Sequence, residues 1–286
     1  MTDDGAFRVL TVVTTDTVSQ AVAAQGVRGK TAEWLGELIT GAALVREAMA
    51  PDRRVQILVK DSRGRTRLVA DAHPRGWNRG IVNPGAEPGA ELEENAVMEV
   101  IYTLPNDVLQ QGIVQLPDGA DVSVALMTYL QESEQVTSML TVHTIVDHET
   151  TVRAAGGYLV QLLPGASRAA LAQMTQRLTE FDRLIAVLSE ASLSADLLRS
   201  ELIGDIPVRE MARTFLTFGC NCDRGRILAG VASLPADDLA DLTKSAESLE
   251  VKCESCGRTY HIEPAELAAL ARNKRTPSAA DAADSN

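Results

Sequence analysis

All four cysteines of this chain fall in its last quarter, as Cys220-Asn221-Cys222 and Cys253-Glu254-Ser255-Cys256, and no other feature constrains its folding more. Thirty residues separate the two pairs. Two short-spaced pairs supply four thiolates to one tetrahedral ion if the chain between them folds back. C-x-x-C followed by Gly257 has the form of a zinc-ribbon half-site, where glycine permits the backbone turn beneath the metal. C-x-C is less usual, because neighbouring thiolates on an extended chain must splay to reach one ion. We expect one Zn²⁺ per chain, held by Cys220, Cys222, Cys253 and Cys256. His261 is expected at the surface or behind the ligands rather than among them.

Charge fits this expectation. Zinc with four thiolates carries a formal charge of about −2, and Lys252, Arg224, Arg226 and Arg258 lie beside the cysteines in sequence. The intervening segment contains Ser233-Leu234-Pro235 followed by Asp237 and Asp238, a helix start with acids in its first turn. Leu239 and Leu242 then share a face, after an apolar cluster of Ile227, Leu228 and Val231. So few apolar residues do not hold a small domain together, and the metal is the expected staple. Thiolates are also the form that reacts with oxidants. Each close pair is chemically able to form a local disulfide with loss of the metal; spacing leaves open whether oxidant reaches the site.

Upstream, residues 7–13 read as a strand. Residues 31–49 read as a helix, with Trp34, Leu35, Leu38, Ala42, Val45 and Met49 on one face and Pro51 as its stop. Gly36 and Gly41 either weaken that helix or mark close packing against a sheet. Strand-like runs follow at 55–60, 67–71, 96–104, 112–116, 139–146 and 158–163, with a short helix at 121–131. Asp118-Gly119 and Gly156-Gly157 are turn signals. The order predicts an α+β protein whose residues 1–170 form an N-terminal mixed α/β core domain. With aromatics at 3%, that core rests on Leu, Val, Ile and Ala. Beyond it, Leu171, Met174, Leu178, Phe181, Ile185 and Leu188 form a narrow helical stripe, and helical signal continues to Leu202 before Pro207. Periodicity fits a helix packed permanently or one packed conditionally. Residues 273–286 read as a disordered tail.

The net charge of −12 argues against nucleic acid as the main partner. One basic run stands out: Arg53, Arg54, Lys60, Arg63, Arg65, Arg67, Arg75 and Arg79. It reads as the solvated face of a hairpin, or as a docking surface for acidic segments such as Glu87 to Glu99 of this or a neighbouring chain. No apolar run approaches the roughly 18 residues of a membrane span, and the acidic N-terminus is no secretory signal. A cytoplasmic protein without a membrane partner is expected.

Several stretches beyond the cysteines resemble one family. Ser133-Glu134-Gln135 after Tyr129-Leu130, the run Arg153-Ala154-Ala155-Gly156-Gly157 to Gln161 and Pro164-Gly165, Asn78-Arg79-Gly80-Ile81-Val82-Asn83-Pro84, and Gln111-Gly112-Ile113-Val114-Gln115-Leu116 are similar to motifs of the heat-shock protein 33 family. These are the 33 kDa chaperonins, redox-regulated holdases, and the resemblance runs in one order from Phe7 to Leu270. It implies a reduced, zinc-bound, inactive form. Oxidation with mild unfolding would pair Cys220 with Cys222 and Cys253 with Cys256 and release zinc. The zinc domain, residues 220–272, and a helical, conditionally folded linker, residues 171–219, would then become disordered. Apolar surface would capture unfolding clients without ATP, commonly as a homodimer. The chain departs from the family pattern at Asp223 to Arg226 after the second cysteine, at Ser255 inside C-x-x-C, and at Asp61 to Arg65 in place of a glycine-proline loop.

Two other classes compete. A zinc-ribbon protein that binds nucleic acid or ribosomes would use the ribbon and the basic run, but the chain lacks the interleaved aromatics for base stacking. An enzyme is not expected: the cysteines are committed to metal, His73, His143 and His148 sit in no recognisable frame, and four thiolates close the site where catalytic zinc keeps one position open.

Overall fold

The computed structural model describes all residues except 84–94, 105, 107, 148–150, 182, 246 and 276–286. The chain divides into two compact units, Met1–Gly219 and Cys220–Asn286. The first is mixed α and β. Strand β1 (Phe7–Val13) leads into helices α1 (Thr15–Gln25) and α2 (Gly29–Met49). Strands β2 (Arg54–Lys60), β3 (Thr66–Ala72), β4 (Trp77–Val82), β5 (Val97–Thr103) and β6 (Leu109–Gln115) follow. Helix α3 (Val122–Glu132) precedes β7 (Ser138–Asp147) and β8 (Thr151–Leu162). Helices α4 (Arg168–Glu180), α5 (Leu184–Leu188) and α6 (Ala195–Ile203) and the short β9 (Thr217–Phe218) complete the unit. One sheet has the order β6-β5-β2-β3-β4-β9, antiparallel except where β9 joins β4; the other is β1-β8-β7.

Helix α2 joins the layers. The sequence suggests burial of one face, but α2 is buried on every side, from Leu35 and Leu38 to Thr40, Ala43 and Arg46. A helix enclosed all round needs small residues where neighbours press in. A Cβ at Gly36 would stand 2.5 Å from Thr144 Oγ1 of β7. Around α2 a continuous core gathers Leu35, Leu38, Ile57, Val100, Leu126, Tyr129 and Leu159.

Other expectations need correction. Gly156 and Gly157 are no turn: they lie inside β8, paired with Val13 and Val12 on one side and His143 and Val142 on the other. A Cβ at Gly157 would meet the Thr141 carbonyl at 2.4 Å, so glycine here serves close strand approach. Helix α1 and strand β4 carry no clear periodic signal. The stripe from Leu171 to Leu188 is split: α4 ends at Glu180 and α5 starts at Leu184. Met174, Phe181 and Leu188 are buried, while Leu171 and Ile185 are exposed. Helix α9 (Pro264–Arg275) carries helical structure past residue 272, where a tail was expected; 276–286 lie outside the described residues.

The basic run sits on the β2–β3–β4 hairpins, where buried carboxylates absorb much of its charge. Asp71 takes a two-pronged contact from Arg54, at 2.7 and 2.6 Å, and a third from Arg79 at 2.8 Å. Asp61 accepts from Arg65 at 2.8 Å, with Arg67 3.8 Å away. Lys60 pairs with Glu99, one end of the acidic segment named above; residues 87–94 of that segment lie outside the described residues. No helix among the described residues is long and apolar enough to cross a membrane.

Candidate metal centre

The second unit holds the cysteines. It contains helices α7 (Arg224–Ser233) and α8 (Ala236–Leu242), a hairpin of β10 (Leu249–Lys252) and β11 (Thr259–Ile262), and α9. Helix α8 starts at Pro235 with Asp237 and Asp238 in its first turn, as the sequence suggests. Val231, Leu239, Ile262 and Leu267 form the unit's buried core, with Ile227, Leu228 and Leu249 partly buried around it.

Two local structures present the sulfurs. Cys220 and Cys222 stand just before α7, whose first turn is capped by Asp223, its Oδ1 accepting from the Arg226 amide at 2.9 Å. Asp223, a departure from the family pattern, thus fixes where the helix begins. Cys253 and Cys256 stand in the turn between β10 and β11. There the Cys253 amide donates to the Arg258 carbonyl and the Gly257 amide to the Cys253 carbonyl, both at 2.9 Å. Gly257 has φ +72°, which disfavours any side chain. Ser255, inside the turn, is buried.

The four Sγ atoms lie within 4.8 Å of one another, with Cys220–Cys253 at 3.8 Å and Cys222–Cys256 at 3.4 Å. A tetrahedron with Zn–S near 2.3 Å has edges of about 3.8 Å. The donor set and its spacing therefore suit a tetrathiolate metal. Among the described residues no histidine or carboxylate joins this cluster. His261 is exposed on β11, and its carbonyl accepts from Arg224 at 2.8 Å.

Sequence reasoning missed Tyr260. Its hydroxyl donates to Cys222 Sγ at 3.2 Å. The strand alternation of β11, which turns Tyr260 opposite to Thr259 and His261, was the only signal for it. Burial alone would push the Cys222 thiol up, but the Tyr260 hydroxyl and the neighbouring thiols bring it down to about 7. Burial pushes Cys253 up, and pushes Cys256 up to about 12. Of the four cations near the cysteines in sequence, Arg224 binds Glu266 at 2.6 Å and Arg226 lies 3.6 Å from Asp223. Arg258 is held in its charged form by Tyr260 and by the Cys222 and Cys256 sulfurs.

The remaining histidines form no catalytic frame among the described residues. His73 stacks on Trp77 with ring centres 4.2 Å apart, and His143 Nδ1 lies 3.3 Å from Glu37. His148 lies outside the described residues.

The chain is similar to proteins named 33 kDa chaperonin. That of Syntrophotalea carbinolica is 28% identical, over 94% of this chain and 96% of its own. That of Streptococcus pneumoniae strain JJA is 26% identical, over 96% and 97%. The fold matches the crystal structure of the 33 kDa chaperonin, a heat shock protein 33 homolog, from Thermotoga maritima: TM-score 0.81 at 24% identity, over 95% of each chain. A family model described as Hsp33 protein spans residues 1–263, and the chain belongs to that family.

Proposed function

We propose that this chain is a cytoplasmic, ATP-independent holdase chaperone whose client binding is switched on by oxidation. The observation that carries this reading is the convergence of four cysteine sulfurs in a unit whose described residues bury four apolar side chains, Val231, Leu239, Ile262 and Leu267. Membership of a family whose relatives are named chaperonins supports the client class. Cys220, Cys222, Cys253 and Cys256 are assigned as the ligands of one zinc ion. Zinc, when bound, keeps the sulfurs as thiolates and cross-links the two halves of the unit.

A two-electron oxidant such as hydrogen peroxide then converts each pair of thiolates to a disulfide. Each pair gives up two electrons, and the peroxide takes these with two protons from solvent to become two waters. We assign the bonds to Cys220–Cys222 and Cys253–Cys256. All four sulfurs are mutual neighbours in the folded unit, so the assignment rests on the resemblance. With its ligands paired, the unit, residues 220–272, loses its staple.

The segment 171–219 is assigned as the conditionally folded element. Its helices cover the β1–β8–β7 sheet through Met174, Phe181, Leu184, Val187, Leu188, Leu198 and Leu202, packed on Phe7, Ala154, Tyr158 and Val160. The cover is shallow. Met174 is the one fully buried side chain described in α4. Detachment would bare an apolar sheet face for unfolding clients, with a homodimer as the oxidised form.

The test is client aggregation followed by light scattering. Zinc-loaded reduced protein should leave aggregation unchanged, and protein treated with peroxide at mildly raised temperature should suppress it. Equal suppression by both forms would remove the redox gate, and suppression by neither would remove the chaperone reading. A second expectation concerns Tyr260. Tyr260→Phe removes the hydroxyl that reaches Cys222 and should lower zinc affinity about tenfold, the lower end for groups that orient metal ligands. Competition with a chromogenic chelator measures this; unchanged affinity would show that the hydroxyl has no bearing on the metal.

A further inference from the structure

Strand β1 is an edge strand of its sheet. The Leu163 amide donates to the Ala6 carbonyl at 2.9 Å and the Thr14 amide to the Ala155 carbonyl at 2.8 Å. Antiparallel alternation then turns the main-chain groups of Arg8, Leu10 and Val12 toward β8, and those of Phe7, Val9 and Thr11 away from it. Phe7 is already paired, accepting from the Thr2 amide at 2.9 Å and donating to Thr2 Oγ1 at 3.0 Å. Val9 and Thr11 have no main-chain partner among the described residues.

Beside this open edge runs an extended strap, residues 209–216. It leaves a cavity of about 380 Å³ lined by Val9 and Thr11 of β1, Leu44 of α2, Ala195 of α6, and Met211 and Leu216 of the strap. The strap makes no ladder with β1. It is tied instead to α6 by surface ion pairs: Arg213 to Asp196 at 3.0 Å and Arg199 to Glu210 at 3.8 Å. The residues from Arg209 to Phe215 are all exposed, and the strap continues through β9 to Cys220. Exposed ion pairs contribute about 0–1 kcal/mol each, so the middle of the strap is held weakly, while main-chain bonds fix its ends: the Arg209 amide donates to the Met1 carbonyl and the Thr217 amide to the Gly76 carbonyl, both at 2.9 Å.

We propose that the outer edge of β1, at Val9 and Thr11, receives an extended segment of an unfolding client as a fourth strand, and that the strap withholds this edge in the reduced form. The inference rests on the chaperone reading above and adds the place and mode of docking. Open edges invite pairing with other chains, and folded proteins cover them. Pairing through main-chain groups is independent of sequence, which suits clients that share only a backbone. Leu44 and Leu216 give the client's side chains apolar walls on either side of the new strand.

The test is residue-resolved amide exchange on the full oxidised, zinc-free protein, with and without reduced, carboxymethylated α-lactalbumin as a permanently unfolded client. Client binding should slow exchange at Val9 and Thr11, leaving Leu10 and Val12 unchanged. A held client with Val9 and Thr11 still exchanging freely would overturn the proposal while leaving the chaperone reading intact. Protection that appears before client is added, and grows with protein concentration, would assign the edge to a second copy and also overturn it. Failure to hold any client in either redox state would remove the chaperone reading and this site with it. Val9→Pro is a second check. It deletes an outward amide of an edge strand without touching the β8 ladder or the Thr11 tie to Ala195, and loss of one backbone hydrogen bond should weaken client retention about fivefold. Wild-type retention by Val9→Pro, with zinc content and fold unchanged, would count against the edge.

Discussion

Removing zinc from the reduced protein should unfold the second unit, from Cys220 to Arg275, and leave the core of residues 1–170 folded. The asymmetry follows from what each unit buries. The first has a core that runs from α2 into both sheets. Among the described residues the second fully buries Val231, Leu239, Ile262 and Leu267, with Ile227, Leu228, Leu249 and Val251 partly buried around them, and each fully buried side chain contributes about 1.5–3 kcal/mol. Structural zinc supplies on the order of 10–16 kcal/mol in small domains, so it outweighs any single core residue several-fold. Hydrogen exchange after chelation should show the amides of Val251, Tyr260 and Leu267 losing protection while those of Val100 and Leu159 keep theirs. Cys253→Ser should reproduce the result without chelator, because it removes a ligand and leaves the apolar core untouched. Retained protection at Val251 and Tyr260 in protein verified to be zinc-free would show that the unit folds on its own side chains.

The sequence was most legible where one local rule acts alone. Strand β1 spans the same residues in both readings, because FRVLTVV alternates and ends before a helix start. Helix α3 begins where Asp121 caps it, its Oδ1 accepting from the Val124 amide at 2.8 Å. The cysteine cluster was legible from spacing, since few chemistries other than metal binding put two pairs thirty residues apart. Misreadings arose where tertiary contact overrides local pattern. Gly156-Gly157 carries the composition of a turn but serves the close approach of three strands. The stripe from Leu171 to Leu188 has the period of one helix, yet the chain breaks after Glu180 so that Phe181 reaches Tyr158, their rings edge-on at 5.6 Å. Tyr260 was invisible because a lone aromatic in a short strand carries no mark of the sulfur it touches. The basic run gave no hint of its partners, since Asp61 and Asp71 pair with it only once β2, β3 and β4 are aligned.

Leu198→Asp should turn the reduced, zinc-loaded protein into a holdase without oxidant. Leu198 is fully buried between α6 and the β1–β8–β7 sheet. Replacing a core leucine by alanine costs about 2–5 kcal/mol through lost contacts and the cavity left behind, and placing a carboxylate there adds a desolvation penalty. Polar ties add to this apolar packing. Arg177 Nε donates to the Leu202 carbonyl at 2.9 Å, tying α4 to α6, and Thr11 Oγ1 donates to the Ala195 carbonyl at 2.9 Å, tying α6 to β1. The substitution therefore spends itself on the cover rather than on the α2-centred core, and Phe7, Ala154, Tyr158 and Val160 lose their partners while the cysteines keep their metal. Ile185→Asp, at an exposed position of α5, is the matched control and should leave the reduced protein inactive. Aggregation assays under reducing conditions, with zinc content measured on the same samples, separate the outcomes. Suppression by Leu198→Asp at full zinc occupancy would place the client surface beneath α4 to α6 and make oxidation only one route to uncovering it. A Leu198→Asp protein whose α4 to α6 amides exchange freely, yet which holds no client, would move the client surface elsewhere on the chain.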